Sequence, residues 1–119
     1  MVGILKITGR QFAAFEAQEL KRFRDEVTRM LRTNLPNEFG RKSDAEIGSM
    51  IDWGIAKAKR YDIVLEPDVA RFIELVGPLG QNFDTNPKTA WVDNTLRRTH
   101  LTTSDRFRLV LERLAFGAV

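Results

Sequence analysis

The sequence predicts an all-α fold, a single compact bundle of about five helices packed in an orthogonal or irregular way. Apolar residues recur at helical spacing in successive segments, and capping or proline signals open most of those segments. No segment alternates between apolar and polar residues, as a half-buried strand does. The chain has 119 residues, of which 43% are hydrophobic and 29% charged, a composition typical of a globular protein. We therefore predict one domain over residues 1–119.

The first predicted helix runs from about residue 9 to about residue 34. Thr8 and Gln11 have the spacing of a capping box, and Pro36 and Gly40 end the helix in a short polar connection. The apolar stripe of this helix consists of Phe12, Phe15, Phe23, Val27, Met30 and Leu31.

The second predicted helix spans about residues 44 to 60. Ser43 and Glu46 form another capping box, and Lys59 and Arg60 place positive charge at the C-terminal end, where the helix dipole favours it. The apolar stripe consists of Ile47, Met50, Ile51, Ile55 and Ala58.

Three further helices are predicted after a connector at residues 61–65. The third begins at Glu66-Pro67, and Gly77-Pro78 ends or kinks it because proline lacks an N–H donor. The fourth is short and opens at Asn86-Pro87, and the fifth follows the hydroxyl-rich residues 102–105. Its inner side is predicted to consist of Phe107, Val110, Leu111 and Leu114.

The composition limits the classes of function that the chain can serve. Nineteen Lys and Arg against sixteen Asp and Glu give a net charge of +3, which is mild for a nucleic-acid binder. There is no cysteine, so disulfides, thiolate metal sites and cysteine nucleophiles are excluded. The chain shows neither a signal peptide nor a stretch of about 20 apolar residues that would span a membrane. We expect a cytoplasmic protein that does not associate with membranes.

Catalytic and metal-binding patterns are weak. His100 is the only histidine, so serine–histidine triads and multi-histidine metal sites cannot form within one chain. The carboxylates have simpler uses, because Asp25 precedes Arg29 by four residues and Asp68 precedes Arg71 by three, as in ion pairs on a helix surface. Residues 82–93 resemble a calcium loop but carry proline where the sharp turn requires glycine. We predict no enzymatic activity, no metal and no cofactor.

Nucleic-acid binding is an alternative, since the last two helices have the order of a helix-turn-helix. The basic residues concerned are Lys21, Arg22, Arg24, Arg29, Arg32, Arg97, Arg98, Arg106 and Arg108. Glu16, Glu19, Asp25, Glu26 and Asp105 are interleaved with them. These acidic residues interrupt the continuous positive field that phosphate binding needs, so a solvated surface of mixed charge is the favoured interpretation.

Aromatic residues are the other candidates for function, because buried aromatics and arginines commonly dominate the energetics of protein interfaces. Trp53 falls beside the main stripe of its helix, and Phe83 and Trp91 flank the long loop. Each of them serves either as an anchor for another protein or as packing between the loop and the domain. The candidate interface residues are Trp53, Tyr61, Phe83 and Trp91, with Arg22 or Arg29 at the rim.

A set of caps and apolar positions resembles a group of small bacterial helical proteins. The matching positions, spread over about residues 8 to 115, are Gly54-Ile55, Tyr61-Asp62-Ile63, Glu66-Pro67-Asp68-Val69, Phe72, Leu75, Gly80, Phe83-Asp84, Pro87, Trp91 and Leu96. Members of that group are encoded beside type VI secretion effectors, spike proteins of the VgrG or PAAR type, and adaptor chaperones of the Tap/Tec kind. The resemblance implies a co-chaperone that helps an adaptor load an effector onto the spike, and it brings no catalytic residues.

The leading hypothesis is therefore a non-catalytic protein-binding module, an accessory chaperone that holds an adaptor or effector in the cytoplasm before export. Two alternatives remain open. One is a cytosolic immunity protein that neutralises a co-encoded toxin, and the other is a small DNA-binding regulator. The sequence contains no signal that specifies an oligomeric state.

Overall fold

The computed structural model describes residues 17–116, and within this range the chain forms six α-helices and one short 3-10 helix, without a β-strand. The all-α prediction is confirmed. The α-helices are α1 (Ala17–Asn34), α2 (Pro36–Phe39), α3 (Asp44–Lys59), α4 (Glu66–Val76), α5 (Ala90–Leu96) and α6 (Thr103–Ala115). The predicted capping box at Thr8 and the stripe residues Phe12 and Phe15 lie outside the described residues.

The helices pack around one shared apolar core. The helices α3 and α4 lie against each other, α1 packs on both, and α6 packs on α4 and α5. This arrangement follows from the sequence, because each of the longer helices turns an apolar stripe inward and leaves most of its charged residues outside. Fully buried members of the core include Phe23, Val27, Leu31, Ile47, Ile51, Phe72, Ile73, Val76, Val92 and Leu96.

Helix α3 has well-defined ends. The Ser43 hydroxyl accepts a hydrogen bond from the Glu46 N–H at 3.1 Å, and the Glu46 carboxylate accepts one from the Ser43 N–H at 2.8 Å, which confirms the capping box. At the other end, the Ile63 N–H donates to the Ala58 carbonyl and the Asp62 N–H donates to the Lys59 carbonyl. Asp62 has a φ of 62°, as the residue after the cap of a Schellman motif requires. This turn directs Tyr61 and Ile63 into the core.

Two segments differ from the sequence-based prediction. The polar connection after α1 is in fact the single-turn helix α2, because Phe39 buries its ring in the core. Helix α5 begins at Ala90 and not at Pro87. The Asn86 side-chain oxygen does accept a hydrogen bond from the Lys88 N–H, as a cap would, but residues 86–89 form a turn that precedes the helix.

The loop between α4 and α5 crosses back over the core. Helix α4 ends at Val76, and the predicted break at Gly77-Pro78 is confirmed as the 3-10 helix Gly77–Leu79. Gly80 follows with a φ of 96°, a conformation that favours glycine. The loop is then anchored by Phe83, which is completely buried.

Candidate functional site

An apolar groove of about 420 Å³ opens between α4 and α6. Four parts of the chain line it: Leu35 between α1 and α2, helix α4, the 3-10 helix and helix α6. Its volume falls within the range of ligand- and peptide-binding pockets, roughly 300–1,000 Å³. The lining residues are Leu35, Arg71, Glu74, Leu75, Pro78, Leu79, Phe107, Leu111 and Leu114.

One wall of the groove is an exposed ridge formed by Leu111 and Leu114. Their exposed fractions are 51% and 41%, among the highest of the large apolar side chains in residues 17–116. We refer to these two residues as the α6 ridge. The prediction that Leu111 and Leu114 lie on the inner side of the last helix is wrong. Helix α6 buries only its first half against the domain, where Phe107 and Val110 enter the core.

The sequence pattern alone does not distinguish this ridge from the core. Successive residues of a helix are about 100° apart, so Leu111 and Leu114, four and seven residues after Phe107, lie on the same side of α6 as Phe107. All three residues line the groove, but only Phe107 is buried. Their shared side predicts a core contact for the whole stripe, and the structure buries only its first half.

Two opposite charges lie at the rim of the groove. The Arg71 guanidinium lies 5.8 Å from the centre of the Phe107 ring, and the predicted ion pair between Arg71 and Asp68 is not formed. The Glu74 carboxylate accepts a hydrogen bond from the Asn34 amide at 2.8 Å. Neither Arg71 nor Glu74 forms an ion pair with another residue of the described range. Both charges are therefore available to groups that enter the groove.

The aromatic residues predicted to form an interface are distributed differently. Tyr61 and Phe83 are 2% and 0% exposed, so their prediction as surface anchors is corrected: both rings belong to the core. They surround Phe72 with ring centres 5.9 and 6.4 Å from it. Trp53 is half-buried, with its ring edge-to-face against Phe83 at 6.2 Å.

Trp91 lies away from this cluster, half-buried beneath the Arg113 guanidinium, which is 4.5 Å from its ring centre. Arg22 and Arg29 line a shallow cleft on the outer face of α1. Within that cleft Asp25 pairs with Lys21 at 2.8 Å and not with Arg29 as predicted. None of the six candidate interface residues lines the α4–α6 groove. Contact of Trp53, Trp91, Arg22 or Arg29 with a partner remains a prediction.

A cluster of charged side chains lies at the C-terminal end of α3. The Lys57 ammonium pairs with the Asp84 carboxylate at 2.5 Å and lies 5.7 Å from the ring centres of Tyr61 and Phe83. The hydrogen bond from Lys57 lowers the pKa of Asp84, which keeps this carboxylate ionised. These contacts attach the loop before α5 to α3 and leave a polar cleft of about 170 Å³ at the surface.

A second network joins the connector after α3 to α5 and α6. The Tyr61 hydroxyl donates a hydrogen bond to Asp93 at 2.6 Å, and Arg97 donates another to the same carboxylate at 2.9 Å. Arg106 is 3% exposed and donates to the backbone carbonyls of Tyr61 and Leu96 at 2.9 and 2.7 Å. Each ionisable group here is bound by another group of the chain, so the network holds the helices together.

The Tyr61 phenol is expected to stay protonated well above its ordinary pKa of about 10. Burial, and then the hydrogen bond donated to Asp93, raise the pKa of Tyr61. Since the folded-state pKa exceeds the unfolded one, this contribution to stability is fully present below about pH 10 and is lost as the pH rises above it. Tyr61 is the only tyrosine, so the tyrosinate absorbance band reports it alone. If the tyrosinate absorbance rises with a midpoint near pH 10 while the helical circular dichroism is still intact, this prediction is contradicted.

Three of the basic residues near α5 and α6 are buried or paired with acidic groups. Arg106 is buried, Arg97 is paired with Asp93, and Arg108 is paired with Asp105 and Glu112. The formation of these pairs reduces the field available to nucleic-acid phosphates.

In residues 17–116, no group of histidine or acidic residues is placed to hold a metal ion. None of the described helices combines the length and the apolar character needed to cross a bilayer. Comparison with models of known protein families, with curated proteins and with solved structures found no match.

Proposed function

We propose that this chain is a non-catalytic protein-binding module whose docking site is the α4–α6 groove. One observation carries the proposal: the apolar α6 ridge stands exposed beside a groove of about 420 Å³ that is apolar within and charged at its rim. Grooves of this kind accept the apolar face of an amphipathic helix, whose side chains at spacings of three, four and seven residues fill the groove. The groove is present in the free chain, which lowers the cost of ordering on binding.

The narrower form of the proposal is an accessory chaperone, which keeps a type VI secretion effector or its adaptor in the cytoplasm before export. The sequence resemblance supports it, since the proteins that this sequence resembles are encoded beside such adaptors and effectors. An apolar groove also suits a chaperone, because it covers an apolar segment of the client that would otherwise aggregate in water.

Co-expression with the adjacently encoded adaptor or effector tests this function. The wild-type chain is expected to co-purify with one of them, and Leu111→Asp is expected to abolish co-purification, because it places a charge on the apolar wall. Leu111 is half exposed in the free chain, so the variant should fold normally. Ala56→Asp is the matched control, since Ala56 is an exposed helical residue outside the groove.

Two outcomes count against the proposal. Failure of the wild-type chain to co-purify with any neighbouring adaptor or effector removes the chaperone function. If Leu111→Asp retains the partner while Trp53→Ala or Arg29→Glu loses it, the docking site is the surface predicted from the sequence and not the groove.

A further inference from the structure

The α4–α6 face is self-complementary in shape. It carries a concave apolar groove, and beside the groove it carries the convex α6 ridge of Leu111 and Leu114. A symmetric dimer uses the same patch on both subunits, so residue i of one copy contacts residue j of the other and the reverse contact forms as well. A ridge next to a groove satisfies this condition, because the ridge of each copy can fill the groove of the other copy.

The charges on this face are complementary in the same way. The rim of the groove carries Arg71 and Glu74, and the exposed flank of α6 carries Arg108 and Glu112. When the α6 of a second copy docks antiparallel to α4, its Glu112 comes to lie against Arg71 and its Arg108 against Glu74. A parallel arrangement of the two helices would place Arg108 against Arg71 and Glu112 against Glu74, which are pairs of like charge.

Arg108 and Glu112 can leave their pairs within α6 and form pairs with the second copy at little energetic cost. Arg108 pairs with Asp105 and Glu112 at 3.3 and 3.4 Å within its own helix, and all three side chains are about half exposed. Exposed pairs of this kind contribute little to stability, so they rearrange at small cost. The net charge of +3 is also too small for repulsion between two copies to prevent association.

We infer that a second copy of this chain occupies the groove, in a two-fold symmetric dimer in which each α6 ridge inserts into the groove of the other copy. The inference rests on the groove that the proposed function assigns as the docking site. In the dimer this apolar surface is covered in both copies, and a client binds by displacing the second copy.

Sedimentation velocity over a concentration series from about 1 µM to about 1 mM tests the dimer. The wild-type chain is expected to change from monomer to dimer within this range, and Leu111→Asp is expected to raise the dissociation constant about 30-fold or more, as for a central interface residue. Ala56→Asp should leave the constant unchanged. A wild-type chain that stays monomeric throughout, or a Leu111→Asp variant that dimerises like wild type, overturns the inference.

Charge reversal tests the pairing of Arg71 with Glu112 of the second copy. Arg71→Glu and Glu112→Arg are each expected to weaken the dimer, and the double variant should recover most of the loss because it restores opposite charges across the interface. This rescue is specific to self-association, since no other partner protein would carry the compensating change. If the double variant dimerises no more tightly than the weaker of the two single variants, the assigned pairing and orientation are overturned.

Cross-linking provides a direct test of the ridge in the groove, because the chain has no native cysteine. Leu75→Cys and Leu111→Cys are made in separately tagged chains, mixed and oxidised. The dimer predicts a mixed disulfide between the two chains, since Leu75 lines the groove and Leu111 is part of the ridge. Absence of the mixed disulfide under conditions where wild type sediments as a dimer overturns the arrangement.

Failure of the dimer and failure of the proposed function are distinguishable. A monomeric chain that co-purifies with its client through Leu111 contradicts the dimer alone. A chain that dimerises through the groove but co-purifies with no neighbouring adaptor or effector contradicts the chaperone function alone.

Discussion

Replacing Arg106 by methionine is expected to lower the free energy of unfolding by about 3 kcal/mol. The side chain is 97% buried and donates hydrogen bonds to the carbonyls of Tyr61 and Leu96. Methionine keeps the length of the side chain but leaves both carbonyls without this donor inside the protein. An acceptor left unpaired in the interior costs about 1–3 kcal/mol, so the two together explain the size of the effect.

Replacing Arg106 by methionine also removes a buried charge, which by itself stabilises the folded state. The net change in the free energy of unfolding depends on the size of this gain. Burial lowers the pKa of Arg106, which indicates that the charged form loses solvation in the folded state. Asp62 and Asp68 offset this loss by raising the same pKa. Two carbonyls left without a donor are expected to cost more than the removal of this charge gains, so the variant should be destabilised.

Urea unfolding followed by circular dichroism measures the effect of Arg106→Met. Arg98→Met is the matched control, because Arg98 is exposed and does not line the groove. The control should unfold at nearly the same urea concentration as wild type. If Arg106→Met unfolds there as well, the two carbonyls do not depend on Arg106 and the explanation of its burial is wrong.

Arg106 also illustrates what could not be predicted from the sequence. Local signals specified the helices: the Ser43–Glu46 capping box opens α3 as predicted, and Gly77-Pro78 ends α4. Whether an arginine faces solvent or two backbone carbonyls depends on where distant segments meet. Arg106 contacts a carbonyl 45 positions away, and no local pattern records that contact.

In the candidate site, too, local sequence signals specify the helices, and tertiary contacts decide which side chains are exposed. The sequence shows that Leu111 and Leu114 are apolar residues of a helix, but their exposure depends on how far α6 extends past its partner helices. Tyr61 and Phe83 are aromatic residues near loops in the sequence. The Schellman turn at Asp62 and the pairing of Lys57 with Asp84 bring them inside. The sequence therefore provided the apolar and aromatic residues, and tertiary packing decided which of them remain on the surface.

The close packing of α3 against α4 leads to a second large expected effect. Gly54→Ala is expected to destabilise the protein by about 2 kcal/mol, although alanine favours helices over glycine by about 1 kcal/mol. A Cβ at Gly54 would lie 2.5 Å from Cγ1 of Ile73, closer than two carbon atoms can approach. Ile73 is fully buried in α4, so its side chain has no free space into which to move.

Gly48→Ala provides the control within the same helix, because a Cβ there meets no atom within 4 Å. It should stabilise the protein by up to about 1 kcal/mol through helix propensity alone, so the two alanine substitutions have opposite signs. Ile73→Ala removes the clashing atom, and in that background Gly54→Ala should lose most of its cost. The coupling between positions 54 and 73, measured by thermal or urea unfolding of the four proteins of the cycle, then attributes the cost to this contact. Equal effects of Gly54→Ala in both backgrounds would show that the distance between α3 and α4 is not set by Gly54 and Ile73.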